Sequence, residues 1–225
     1  ALDLATPYLE ELQDPLAAEP WIREATGHPE HDKRARDLLL RVLEKRGDWS
    51  ELTSELERDV VSEPSADSVL ALVRARIKTG EYASALSTLE TARERHPRRL
   101  DLLEAMIEAS RGASEKTRLR TLLVERLQTA SEDELRCSLA TEIGDLELRA
   151  FENPSAANGW YRRALEDDPE HVGAREGLVE SLRRLGRTDE LEPELDALVR
   201  GLRREGRSTD AARYPGTLDL HVHRP

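Results

Sequence analysis

The 225-residue chain sets 46 acidic against 34 basic residues, a formal net charge of -12, with 36 % charged and only 4 % aromatic residues. An acidic excess of that size excludes nucleic acid as the main partner, because duplex binding needs surplus Lys and Arg to displace counterions from phosphates. A single cysteine, Cys137, excludes an intrachain disulfide and a cysteine-based zinc site, and no apolar run approaches the ~20 residues that span a bilayer.

The apolar content is mostly Leu, Ala and Val spread evenly along the chain. Such a distribution suits a thin layered core in which each unit touches only its neighbours. The first expected unit, 1–32, ends at a corner where His28 and His31 bracket Pro29-Glu30. Next, Leu39, Leu40, Val42 and Leu43 mark one amphipathic helix, Gly47-Asp48-Trp49 a turn, and Leu52 and Leu56 a second helix that stops near Pro64. The same order recurs 33 residues on. Val69, Leu72, Val73 and Ala75 precede Gly80-Glu81-Tyr82, then Ala85, Leu89 and Ala92 lead to Pro97. Gly ends the first helix by tolerating a left-handed backbone, the acid after it is expected to cap or charge-match the next helix, and Pro cannot continue the second.

Beyond Pro97, Gly112 and a leucine pattern mark a fourth unit. A long helix from Leu135 to Ala150 then leads to Pro154 and the run Trp160-Tyr161-Arg162-Arg163-Ala164-Leu165-Glu166-Asp167-Asp168-Pro169. Ala174, Leu178, Leu182 and Gly186 mark the last first helix, and Pro193 is expected to make its partner begin late or bend. After Ala212 helical periodicity ends at Tyr214-Pro215-Gly216, so 204–225 is expected to be an irregular tail.

On these residues the chain resembles the tetratricopeptide repeat family. Ala157, Tyr161, Ala164 and Pro169 fall at the small, aromatic, small and proline positions of that family's second helix. The tryptophan of its first helix is absent throughout, so the repeats are degenerate. The resemblance implies an all-α fold, a right-handed superhelical solenoid of antiparallel helix pairs, with units at 1–32, 33–65, 66–99, 100–131, 132–171 and 172–203. It also implies a protein-interaction scaffold whose groove, lined by first helices, accepts a partner peptide or helix. Asn153 and Asn158, the only asparagines, lie around a turn and a second helix, so the family's clamp for a C-terminal carboxylate is not expected.

Catalytic chemistry finds little support. There is no glycine-rich phosphate loop, and acidic pairs such as Asp167-Asp168 and Glu132-Asp133 sit at helix ends, where capping is the default. His221 and His223 would share one side of a strand but have no third ligand near them. Trp49, Tyr82, Trp160 and Tyr161 occupy repeat positions and read as packing, while Trp21 and Tyr214 lie outside them and read as anchors. No enzyme activity, metal or cofactor is therefore expected. The expected partner is another protein, with no membrane insertion.

The site expectation rests on charge. Aligning Gly47 with Gly80 pairs Arg41 with Arg74 and Lys45 with Lys78, each couple four apart on one helix face. In the family those positions face the groove, so these four cations would suit an acidic partner segment. A solvated surface paired with Glu44 and Glu81 is the plainer reading. Two wider questions stay open: whether the array is a regulatory or dimerising segment of a larger protein, and where it resides. The chain starts at Ala1 with no initiator Met, which together with the non-repeat tail favours a fragment, and with no signal peptide visible the cytoplasm is the more expected location.

Overall fold

The computed structural model describes residues 15–26, 32–62 and 65–214. Among them are twelve α-helices and no strand. In chain order these are α1 (Pro15–Ala25), α2 (Asp32–Arg46), α3 (Trp49–Ser62), α4 (Ala66–Thr79), α5 (Tyr82–Arg95), α6 (Leu100–Gly112), α7 (Lys116–Thr129) and α8 (Asp133–Asp145). A π-helical segment, Leu146–Ala150, follows α8 directly, and α9 (Pro154–Asp167), α10 (Val172–Leu185), α11 (Thr188–Arg204) and α12 (Ser208–Ala211) complete the described helices. The all-α expectation holds. The corner at His28 and His31, Pro64, and the tail beyond Tyr214 with His221 and His223 lie outside the described residues.

Two compact units divide the chain, Ala1–Ser114 and Glu115–Pro225. In the first, each helix from α1 to α6 packs on the next, and α4 also touches α6. In the second, α7 to α11 do the same, and α8 also touches α10. Contact between successive helices and between alternate ones is what stacked hairpins produce. Each unit has its own apolar interior. Ile22, Leu43, Leu52, Leu56 and Leu72 are buried together in the first, and Leu148, Tyr161, Leu178 and Leu182 in the second. A further cluster in the second joins Val172, Val179, Leu198 and Leu202.

The turns at Gly47, Gly80 and Gly186 are made the same way. Gly80, with φ 80°, follows α4; its N–H donates to the Ile77 carbonyl at 3.1 Å, and the Glu81 N–H donates to the Arg76 carbonyl at 2.8 Å. These two bonds satisfy carbonyls that the helix end would otherwise leave open. Left-handed residues recur at 47, 80, 114, 152 and 186, at intervals of 33, 34, 38 and 34. Two of them are not glycine: Ser114 has φ 57° and Glu152 has φ 51°. The turn of the fourth expected unit is therefore set by Ser114. Gly112 serves another purpose, since a Cβ there would lie 2.1 Å from Cε1 of Tyr82. A side chain in this conformation costs roughly 1 kcal/mol that glycine does not. Glu152→Gly is accordingly expected to stabilise by about 1 kcal/mol, read as a higher urea midpoint at unchanged slope. An unchanged or lower midpoint would show that Glu152 carries no such strain.

The long interval, 114 to 152, is absorbed by the π-helical segment. There the Phe151 N–H reaches the Leu146 carbonyl at 3.0 Å and the Asn153 N–H reaches the Glu147 carbonyl at 2.8 Å. Asn153 then caps α9, its Oδ1 accepting from the Ala156 N–H at 3.1 Å, with Pro154 in the first turn, where a missing N–H costs nothing.

Three local expectations hold only in part. Asp48 caps α3, its Oδ1 accepting from the Glu51 N–H at 3.4 Å, but Glu81 does not cap α5; its carboxylate accepts from the Thr79 hydroxyl at 2.7 Å. Despite Pro193, α11 does not begin late but starts at Thr188. Pro193 is its sixth residue, near enough to the N-terminus that only one helical bond is forgone. Nor is the segment after α11 wholly irregular. Arg204 ends α11, a left-handed Gly206 turns the chain, and α12 packs on α11 with Ala211 buried.

Candidate partner-binding surface

Arg41 and Lys45 stand on α2, Arg74 and Lys78 on α4, both in the first unit, and all four side chains are exposed. Helical periodicity explains the exposure. On α4, Val69, Leu70, Leu72 and Val73 turn inward, while positions 67, 74 and 78 follow one another at seven and four residues on the opposite side. Both α2 and α4 pack against α3, which lies between them.

Among the described residues, none of the four cations has a hydrogen bond or ion pair, with Glu44, Glu81 or any other group. Nearby arginines behave differently. Arg76 on α4 is half-buried and ties three helices together. Its guanidinium donates to Glu57 of α3 at 2.6 Å, to the Ser84 carbonyl of α5 at 3.2 Å, and to the Thr88 hydroxyl. Arg36 of α2 pairs with Asp59 of α3 at 3.8 Å. Structural arginines and unengaged cations thus lie on the same helices but on different sides.

The N-terminal end of this face is closed by a clasp. Arg99, just before α6, donates to Asp67 of α4 at 2.8 Å and to Asp101 of α6 at 2.5 Å. The Arg99 guanidinium holds the Asp101 carboxyl below the usual carboxylate range. Sequence reasoning missed this clasp, since nothing local pairs residues 32 apart. It also missed Glu108 of α6, exposed and without a partner among the described residues.

Most of the remaining candidates take structural roles. Tyr161 is fully buried, and its hydroxyl donates to Asp145 Oδ1 at 2.8 Å; burial above all, then that bond, raises its pKa. Trp49, Tyr82 and Trp160 are partly buried. Trp21 is 38 % exposed, and the Tyr214 ring lies 5.4 Å from the Arg183 guanidinium. Asp167 accepts from Arg136 at 2.6 Å, and Asp168 from the Glu170 N–H at 3.0 Å. His171 caps α10, its Nδ1 accepting from the Ala174 N–H at 3.0 Å. The Cys137 thiol is buried, and burial pushes its pKa up.

No described group of three or more His, Cys, Asp or Glu residues could hold a metal ion, and no described helix is long and apolar enough to cross a membrane. A cavity of about 60 Å³ between α10 and α11 is lined by Arg175 and Arg204 among others. It has room for a couple of waters, and those two arginines are already held by Glu194 and Glu170.

No protein-family model matches the chain, and no curated protein matches it. Solved structures do. A crystal structure of MamA superposes with a TM-score of 0.60 at 12 % identity, over 75 % of this chain and 90 % of that one. A second MamA structure, from AMB-1, gives 0.59 at 16 % identity, over 84 % and 96 %. A tetratricopeptide repeat protein from Parabacteroides merdae gives 0.55 at 17 % identity, over 77 % and 73 %. The fold is therefore that of the tetratricopeptide repeat class, as the resemblance in the sequence implied.

Proposed function

We propose that the chain is a protein-interaction scaffold, and that the exposed side of α2 and α4 takes an acidic segment of a partner protein. One observation carries the reading: in a chain of net charge -12, four cations stand on the first helices of two successive hairpins with no described partner. Unengaged like charges on one face repel one another slightly, and an acidic ligand relieves that repulsion while gaining attraction. The face is solvent-exposed, so the attraction is screened and weakens as salt rises.

The test is capture of binding proteins on the immobilised chain at low salt, followed by the same capture with Arg41, Lys45, Arg74 and Lys78 all changed to Glu. Exposed pairs are individually weak, so a loss of about 2 kcal/mol, some thirtyfold in Kd, is expected for the fourfold variant. The captured segment should be acidic and should elute with salt. Unchanged affinity with an intact melting profile would place binding elsewhere. A captured second copy of the chain would favour a dimerising segment instead.

A further inference from the structure

The partner face does not end at α4. Counting back from the left-handed residue that follows each of α2, α4 and α6, Arg41 lies six before Gly47, Arg74 six before Gly80, and Glu108 six before Ser114. The same place on three successive first helices of the first unit thus carries plus, plus, minus. This equivalence depends on Ser114 being the turn residue. Counted from Gly112, the counterpart would be Met106, which is buried.

The Arg99 clasp shows independently that the α4 and α6 faces lie side by side in this register. Asp67 is 13 residues before Gly80 and Asp101 is 13 before Ser114, and one guanidinium reaches both carboxylates, at 2.8 and 2.5 Å. The clasp sets one guanidinium against two carboxylates, so that end of the face keeps one net negative charge. What remains exposed and unengaged is Arg74 and Lys78 on α4, beside Glu108 on α6. Arg111, three residues beyond Glu108, is engaged with other groups.

We infer that the partner segment is bipolar, with acidic side chains over α2 and α4 and a Lys or Arg over Glu108. This rests on the reading of Arg41, Lys45, Arg74 and Lys78 as the partner surface. Packed helices lie about 8–10 Å apart, and an extended chain rises ~3.3 Å per residue, so one helix step matches about three residues. Since α4 touches α6 while α3 lies between α2 and α4, the segment has an acidic residue over α4, a basic residue about three positions on, and its other acidic residue further off on the α2 side. Glu108 rejects a uniformly acidic chain by like-charge repulsion, which gives the surface specificity that a purely basic groove lacks.

The test is selection of random peptides displayed on phage against the full chain at low salt, repeated with Glu108→Lys and with the four cations changed to Glu. The unmodified chain should enrich the order acidic–acidic–basic, with about three positions from the second acidic residue to the basic one, in one chain direction or its reverse. Glu108→Lys should turn the third position acidic while helical content and melting stay unchanged. A synthetic peptide of the enriched sequence should lose roughly tenfold in affinity for the unmodified chain when its basic residue becomes Glu, read by fluorescence anisotropy. Enrichment of acidic residues with no basic third position, or a profile that Glu108→Lys leaves unchanged, overturns the bipolar pattern and leaves the basic surface standing. Absence of acidic enrichment in the unmodified chain overturns both.

Discussion

Truncating Tyr161 to alanine is expected to remove about 4 kcal/mol of stability, within the range for emptying a buried aromatic site. The ring of Tyr161 is 0 % exposed and comes from α9. It fits only because the helices it meets lack side chains where it arrives. A Cβ at Gly177 of α10 would fall 2.2 Å from its Cζ, and one at Gly144 of α8 would fall 2.7 Å from its Cε1. Gly177→Ala is expected to destabilise by about 2 kcal/mol. Overpacking costs up to about 3 kcal/mol, and alanine returns up to about 1 in helix propensity. The two changes should not add, because each removes the other's cause. Chemical denaturation of both single variants and the double variant checks this. If the double variant loses the full sum, the ring and the glycines are not coupled, and the packing account of α8, α9 and α10 is wrong.

The second large effect concerns Glu147. This carboxylate is nearly buried in the π-helical segment, at 5 % exposure, and receives a hydrogen bond from Arg120 of α7 at 3.0 Å. The Arg120 guanidinium in turn lies 4.6 Å from the centre of the Phe151 ring, which helps to hold it in place. Arg120→Ala leaves a carboxylate without its counter-charge. Such losses cost about 3–5 kcal/mol in full burial, and the partly exposed arginine puts this one at about 3 kcal/mol. Replacing both partners, Arg120→Met with Glu147→Met, should recover most of that loss, since paired buried charges often do little better than apolar residues of similar volume. A double variant as unstable as Arg120→Ala would mean that Glu147 holds the π-helical segment by some interaction other than this ion pair.

Both effects sit in places that the sequence left only half legible. The helices could be read from leucine and alanine spacing, and Gly47, Gly80 and Gly186 marked three hairpin turns because glycine is the usual left-handed residue. Ser114 and Glu152 adopt that conformation without the side-chain type that announces it. Gly112 drew attention to itself for a different reason, the close approach of Tyr82. A turn placed at Gly112 puts the counterpart of Arg41 and Arg74 at the buried Met106, two residues short of Glu108. The four cations were legible since helix periodicity alone puts residues four apart on one side. The clasp through Arg99 and the engagement of Arg76 were not, because both join helices distant in sequence. The π-helical segment left no local signal beyond an overlong helix.

The placement of tryptophan has a practical consequence. Trp21 and Trp49 belong to the first compact unit and Trp160 to the second, where it adjoins Tyr161. Emission from a Trp160→Phe variant therefore reports the first unit alone. A variant with Trp21→Phe and Trp49→Phe reports the second. Following both through a thermal ramp makes the chain its own two-channel optical probe, in which coincident traces mean that the units melt as one cooperative body and separated traces mean that they melt apart.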